Sequence, residues 1–219
     1  ARAEENQQES DRSEQIKEEK PRSQDVDIAK FYATGEDILI LGGPRSLQLC
    51  MVDVNINTQD ATTSFRRYYK ENERILWKDL KGKFSRVSPE HSTIDAMTVT
   101  AEERVMPTRG SRPPWNTVEA MEYDSNNGTC ALFSTKYMSE PTLRNPLVHY
   151  DFRLKKSILG TEAAEACLEE LKKKGQTQLK ISGSVEVPSN LHSCHEVCKQ
   201  RGYCRNVEEE AHPESGTTD

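Results

Sequence analysis

Eight short segments with apolar or alternating patterns, separated by turn-forming residues, dominate the middle of this chain. They are Asp37–Leu41, Ser46–Asn57, Thr62–Tyr69, Glu73–Trp77, Thr93–Thr100, Asn116–Tyr123, Thr129–Tyr137 and Leu147–Lys155. Segments of this length and period are typical of β-strands. Their short spacing favours consecutive antiparallel pairing. The turn at Asn127-Gly128 predicts a hairpin, because Asn-Gly tolerates the positive φ angles of tight turns.

Two helices are predicted beside the strands. A short one lies near Asp25–Ala33, and a longer one spans Thr161–Lys174, with Gly175 expected to end it. In the longer helix apolar side chains recur at i, i+3, i+4 and i+7 and form one stripe, which comprises Ala164, Cys167, Leu168 and Leu171. The chain is therefore predicted to be mainly β, an eight-stranded antiparallel lipocalin-like barrel with a C-terminal α-helix packed on its outside. Closure removes exposed sheet edges, and a barrel of this size can hold one small ligand.

Polar tails are predicted at both ends of the chain. Hydrophobic residues make up 34% of the 219 residues, which is too little to pack the whole length. Residues 1–24 are predicted to be a disordered charged arm, and residues 205–219 a disordered acidic tail. The folded domain is then 25–204. Within it the proline-containing stretch Val105–Trp115 is predicted to be a long loop.

Several classes of function are disfavoured by the sequence. The net charge of −6 argues against a nucleic-acid-binding protein, and no apolar run is long enough to span a membrane. The sequence has no Gly-x-Ser-x-Gly, His-Glu-x-x-His or phosphate-binding-loop motif and no standard zinc-binding cysteine pair. We therefore expect no enzyme activity, no catalytic residues, no cofactor and no metal.

The cysteines indicate an oxidising compartment. They are even in number and widely spread: Cys50, Cys130, Cys167, Cys194, Cys198 and Cys204. This spacing favours disulfide bonds in a secreted protein, although the pattern leaves their connectivity open. The sequon at Asn127-Gly128-Thr129 predicts N-glycosylation in a turn. A start at Ala1 rather than Met is expected of a processed or trimmed chain.

Four stretches carry a resemblance to a known family. They are Cys50 in the second strand, Cys130-Ala131-Leu132-Phe133 after the hairpin, Tyr150-Asp151-Phe152-Arg153-Leu154 further on, and the helix with Cys167. Residues 25–204 thereby resemble a tick salivary lipocalin of the histamine-binding-protein family. The resemblance implies that Cys130 pairs with Cys167 and that Cys50 pairs with a C-terminal cysteine. We assign the latter as Cys198, which leaves Cys194 with Cys204.

The resemblance also implies a function. It predicts a monomeric protein, secreted in saliva, that sequesters a small host inflammatory mediator. Amine-binding members place acids in the barrel, because a buried ammonium group needs a charged partner. Here Ala131 stands where the family has Asp, and Asp151-Phe152-Arg153 stands where it has Glu-Leu-aromatic. These departures favour a lipid, such as a leukotriene or fatty acid, over histamine or serotonin.

The last predicted strand supplies the main candidates for ligand binding. The resemblance places Asp151 and Arg153 inside the barrel and Phe152 under the helix, so that Arg153 binds an acidic ligand head and Asp151 orients it or binds an amine. Simple patterning allows the alternative that the apolar side fills the barrel while His149, Asp151 and Arg153 face solvent. Further candidate liners, each also explicable as barrel packing, are Phe65, Arg67, Tyr69, Trp77, Glu119, Met121, Tyr123, Phe133 and Tyr137.

Pairs of these residues favour different ligands. Arg67 with Arg153 suits a carboxylate, whereas Asp151 with Glu119 suits an amine. A second hypothesis belongs to another class: a protein-binding immunomodulator that uses the barrel as a scaffold and acts on complement, a chemokine or an immune cell. Its candidate docking elements are the loop Val105–Trp115 and the arm at residues 1–24.

Overall fold

The structure is a computed structural model that describes residues 26–42, 50–71, 74–102, 115–125, 127–138 and 148–178. Its helices are α1 (Ile28–Phe31), a 3-10 turn (Lys156–Ile158) and α2 (Glu162–Gln178). Its strands are β1 (Ile38–Gly42), β2 (Cys50–Gln59), β3 (Thr62–Glu71), β4 (Arg74–Ser85), β5 (Ala96–Ala101), β6 (Asn116–Asp124), β7 (Cys130–Tyr137) and β8 (Val148–Lys155). The predicted charged arm, acidic tail and C-terminal cysteines lie outside these residues, as does the predicted loop except for Trp115.

The eight strands form one closed antiparallel barrel in sequence order. Each strand pairs with the next, and β1 closes the barrel against β8, for example through Ile40 opposite Arg153. α2 packs on the outside against β7 and β8. This confirms the fold class that the strand pattern and the helix stripe predicted.

The largest differences between predicted and observed boundaries are at the ends of β4 and α2. β4 continues to Ser85 rather than ending at Trp77, because Leu76, Leu80 and Phe84 face the interior cluster although polar residues separate them. α2 continues through Gly175 to Gln178, so the prediction that this glycine ends the helix is wrong. A glycine within a helix costs only about 1 kcal/mol relative to alanine.

Two apolar clusters lie on the two sides of the barrel wall. The interior cluster includes Phe31, Phe65, Met97 and Phe133, and α1 contributes to it from one end of the barrel. We call that end the α1 end. The helix-side cluster lies between the outer wall and α2, and it comprises Leu39, Leu41, Val52, Val54, Tyr68, Tyr123, Cys130, Leu132, Phe152, Leu154, Ala164, Cys167, Leu168 and Leu171.

Two irregularities change which side of the wall a residue faces. The β2–β3 register shifts between Val54 and Asn57, where Asn55 has φ 54°. As a result Val54 lies on the helix side and Ile56 lies inside. The β6–β7 register shifts between Met121 and Tyr123, which likewise moves Tyr123 to the helix side. An extra residue of this kind reverses the alternation beyond it.

A disulfide bond joins Cys130 at the start of β7 to Cys167 in α2, with the two Cα atoms 6.4 Å apart. This confirms the pairing that the resemblance implied. Cys50 is also disulfide-bonded. Among the residues that the structure describes, no helix is long and apolar enough to cross a membrane.

Candidate ligand-binding site

Five ionisable side chains are buried inside the barrel. They are Asp53 on β2, Arg67 on β3, Glu119 on β6, and Asp151 and Arg153 on β8, and none is more than 2% exposed. The structure places Asp151 and Arg153 inward and Phe152 in the helix-side cluster, as the resemblance implied. The alternative, in which Asp151 and Arg153 face solvent, is wrong. We call these five residues the ionic floor.

Arg67 bridges two acids of the ionic floor. Its Nε donates to Asp53 at 2.7 Å, and its Nη2 donates to the second Asp53 oxygen at 2.8 Å. Nη1 and Nη2 donate to the two oxygens of Glu119 at 2.8 and 3.2 Å. Nη1 carries two hydrogens and makes one of these bonds, so one N–H of Arg67 has no acceptor among the described residues.

Arg153 is also paired with carboxylates. Its Nε donates to Asp151 at 2.7 Å, and Nη1 lies 2.7 Å from a Glu119 oxygen. Nη1 also donates to the Tyr32 hydroxyl at 2.5 Å, and Nη2 donates more weakly to Asp151 and to the Thr135 hydroxyl at 3.4 Å each. Every guanidinium nitrogen of Arg153 therefore has a partner within the protein.

Neutral side chains outside the ionic floor donate further hydrogen bonds to its carboxylates. Tyr32, which follows α1, donates its hydroxyl to Asp53 at 2.9 Å. The hydroxyls of Thr117 and Thr135 donate to Glu119 and Asp151 at 2.9 and 2.8 Å. Buried charges are tolerated when they are both paired and hydrogen-bonded, and these side chains meet that condition.

Electrostatics fixes the protonation of two groups here. Burial by itself would raise the pKa of Glu119, but the guanidinium groups of Arg67 and Arg153 hold it well below the usual range. Burial raises the pKa of Tyr32 well above its ordinary value. Counted formally, three acids and two arginines give the ionic floor a net charge of −1.

Aromatic side chains line the barrel on the side of the ionic floor away from α1. Ring centroids are 5.7 Å apart between Tyr69 and Trp115, 6.2 Å between Trp115 and Tyr137, and 5.8 Å between Tyr137 and His149. Leu76 packs partly buried against the same interior cluster. Burial lowers the pKa of His149 below its ordinary value. We call the region lined by these five residues the distal half.

Two polar groups in or beside the distal half have no hydrogen-bond partner among the described residues. The Trp115 Nε1 atom is buried and has no hydrogen-bond acceptor there. Lys78 lies directly opposite Arg67 in the β3–β4 register, on the same side of β4 as the interior residues Leu76 and Leu80. Lys78 is half-buried and makes no hydrogen bond or ion pair within the described ranges.

The remaining candidates from the sequence fall on both sides of the wall. Phe65, Met121 and Phe133 belong to the interior cluster. Two candidates do not line the interior. Trp77 is 49% exposed on the outer surface, where the Arg66 guanidinium lies 4.0 Å from its ring. Tyr123 lies on the helix side and donates its hydroxyl to Glu170 at 2.6 Å.

The physical reasons for these corrections are different. β4 alternates regularly, so Trp77 must face outward if Leu76 faces inward. Tyr123 follows the β6 irregularity, which reverses its side. Sequence reasoning overlooked Lys78 and did not name Trp115 as a lining residue. Trp115 lies just before β6, and its carbonyl accepts a hydrogen bond from the Ala101 amide. The inward alternation of Leu76, Lys78 and Leu80 is the signal that would have found Lys78.

An eight-stranded antiparallel barrel with a C-terminal helix against its outer wall is a lipocalin-like fold. Such a barrel is compatible with binding a small ligand in its interior. Within the described ranges no group of three or more histidine, cysteine or acidic side chains is arranged to hold a metal ion. Comparison of the sequence with models of known protein families and with curated proteins finds no match.

Proposed function

We propose that this protein is a secreted lipocalin of the tick salivary kind, which sequesters a small host inflammatory mediator in the distal half of its barrel and so suppresses host defence. The barrel, the disulfide that fastens α2 to β7, and the sequence resemblance support this proposal. Binding of this kind works by mass action, so affinity and abundance matter and no chemical step is required.

One observation carries the choice of site. The ionic floor satisfies its own charges, whereas the distal half presents aromatic and aliphatic side chains around Trp115 and Leu76. Ligand pockets are typically apolar with a few polar groups that fix orientation. The distal half has this character, and the α1 half is filled by side chains such as Phe31 and Phe133.

The charges of the ionic floor favour a lipid over a biogenic amine. A buried ammonium group needs a carboxylate partner. Asp53, Glu119 and Asp151 already accept hydrogen bonds from Arg67 or Arg153, so an amine would have to compete with a guanidinium for each of them. The apolar body of a fatty acid or leukotriene requires no such exchange.

Calorimetry tests the proposal directly. We expect micromolar or tighter binding of leukotrienes or fatty acids and weaker binding of cholesterol, histamine and serotonin. Ala101→Trp should obstruct the distal half and weaken binding at least about tenfold, because Ala101 packs partly buried against the interior cluster. Thr100→Trp is the matched control, since this neighbour on β5 is exposed. If none of these ligands binds the unaltered protein, the proposal is wrong.

A second candidate function is the protein-binding immunomodulator. The observation that favours it is the filling of the α1 half by Ile28, Phe31 and Tyr32, which leaves less of the barrel for a ligand. Affinity capture from host plasma tests this alternative. It predicts that Ala101→Trp, which obstructs the interior, retains a specific plasma partner. Recovery of no partner by the unaltered protein would count against it.

A further inference from the structure

Three hydrogen-bond donors with capacity to spare lie on the inner face of the barrel beside the distal half. They are the buried Nε1–H of Trp115, the ammonium group of Lys78 and the remaining Nη1–H of Arg67. The Arg67 guanidinium carbon lies 5.6 Å from the Trp115 ring centroid, and Lys78 is its register partner on the adjacent strand. Arg67 and Lys78 thus project from the same face of neighbouring strands, and the Trp115 ring lies beside Arg67.

A buried donor without an acceptor needs a physical explanation. Leaving such a group unpaired costs free energy comparable with a lost hydrogen bond, and native proteins leave few of them. All three groups here are donors, so the chemistry that satisfies them together is an acceptor with negative charge. The positive charge of Lys78, which is not counted in the ionic floor, has the sign that offsets the net charge of the floor.

We propose that Trp115 and Lys78, assisted by the free N–H of Arg67, hold the carboxylate of an acidic ligand beside the distal half. The inference rests on the proposed function and names the group that orients the ligand. It replaces the assignment of the acidic head to Arg153, because the five contacts of that guanidinium match its five N–H groups, whereas Arg67 makes four. The carboxylate of the ligand then lies on the side of the ionic floor away from α1.

The tryptophan content of the chain makes this placement measurable. There are two tryptophans, and Trp77 lies on the outer surface. A proton–nitrogen NMR spectrum therefore contains two indole N–H signals, one from Trp115 in the site and one from Trp77 as an internal control. The signal that disappears in Trp77→Phe belongs to Trp77. Addition of arachidonate should move the Trp115 signal downfield and leave the Trp77 signal in place. Arachidonyl alcohol, which has the same chain without the charge, should produce a smaller shift.

A pair of lysine variants tests the charge. Lys78→Met should reduce the preference for arachidonate over the alcohol by about tenfold, as expected for a charge-assisted hydrogen bond. Lys81→Met is the matched control, because Lys81 is exposed on the same strand and faces outward. It should leave the preference unchanged. Trp115→Phe should lower arachidonate affinity more than alcohol affinity.

The outcomes separate this inference from the function on which it rests. If neither lipid binds, the proposed function fails. If arachidonate binds but the Trp115 signal does not move, or if Lys78→Met and Lys81→Met behave alike, the function stands and the head-group assignment is overturned. A Trp115 signal that stays fixed with every ligand would indicate that a buried water satisfies Nε1, and that result would overturn the assignment as well.

Discussion

Replacement of Arg67 by methionine should destabilise the barrel far more than the same change at Arg66. The two arginines are neighbours on β3, and each makes a two-point contact with an aspartate. Arg66 faces outward and pairs with Asp79, both side chains being about one-third exposed at 33% and 35%. Arg67 faces inward and is 1% exposed. The comparison therefore varies burial while the chemistry of the pair stays nearly constant.

The expected magnitudes come from the contacts that are lost. Arg67→Met removes four hydrogen bonds. Of the side-chain donors described for Asp53, the Tyr32 hydroxyl then remains. Breaking a buried pair in this way costs about 3–5 kcal/mol, because a buried charge is left uncompensated. Arg66→Met should cost at most about 1 kcal/mol, the usual range for exposed pairs that solvent screens.

Urea denaturation followed by circular dichroism measures both costs. If Arg67→Met does not fold, the combined Arg67→Met/Glu119→Gln variant keeps the experiment informative. It returns the net charge of the ionic floor to −1 and should recover about 1–3 kcal/mol relative to the single change. Equal free energies of unfolding for Arg66→Met and Arg67→Met would refute the argument, since burial would then have no energetic consequence.

Three further predictions concern the disulfide, the sequon and pH. Removing the bond with Cys130→Ala and Cys167→Ala should lower the free energy of unfolding by about 2–4 kcal/mol, given the sequence separation of 37 between the cysteines; an unchanged urea midpoint would contradict this. Asn127 is exposed, and its Oδ1 accepts the Thr129 hydroxyl at 2.8 Å, so protein secreted from insect cells should lose mass with a glycosidase, whereas Asn127→Gln should not. Because the folded-state pKa of Glu119 is depressed, its stabilising contribution is complete above its ordinary pKa of 4.5 and is lost as pH falls through the folded value. As the pH is lowered, the urea midpoint of the unaltered protein should therefore fall more steeply than that of Glu119→Gln. If the two midpoints fall in parallel, Glu119 does not contribute to stability in this way.

The number and order of the strands could be predicted from the sequence because the barrel wall is apolar on one or both sides. Local patterning was sufficient for β3, β6 and β8, whose predicted starts lie within one residue of the observed ones. It failed where the backbone departs from regular pleating. Asn55 is a residue type that tolerates a left-handed φ, so this irregularity had a weak signal. Nothing in the residues around Glu122 marks the second one.

The side of the wall that a residue faces was harder to predict than the strand itself. Trp77 was assigned to the interior because large aromatic side chains are usually buried. On β4 it is a cation–π contact with Arg66 that accommodates this ring on the outer surface. Lys78 occupies the inward position between Leu76 and Leu80. Because lysine is polar, the inward face of β4 does not read as a continuous apolar pattern in the sequence.

The partners of the buried charges could not be predicted at all, and this matters most for function. Arg67 reaches Glu119 across 52 residues, and Arg153 reaches Tyr32 across 121. A strand pattern can show that an arginine faces inward, but it cannot show that the guanidinium is already occupied. In this barrel the arginines that first suggest an acidic ligand are paired with internal acids, and one N–H of Arg67 is the remaining donor of the two. Ligand preference should therefore change through Lys78 and Trp115, whereas changes to the ionic floor should alter stability first and binding only as a consequence.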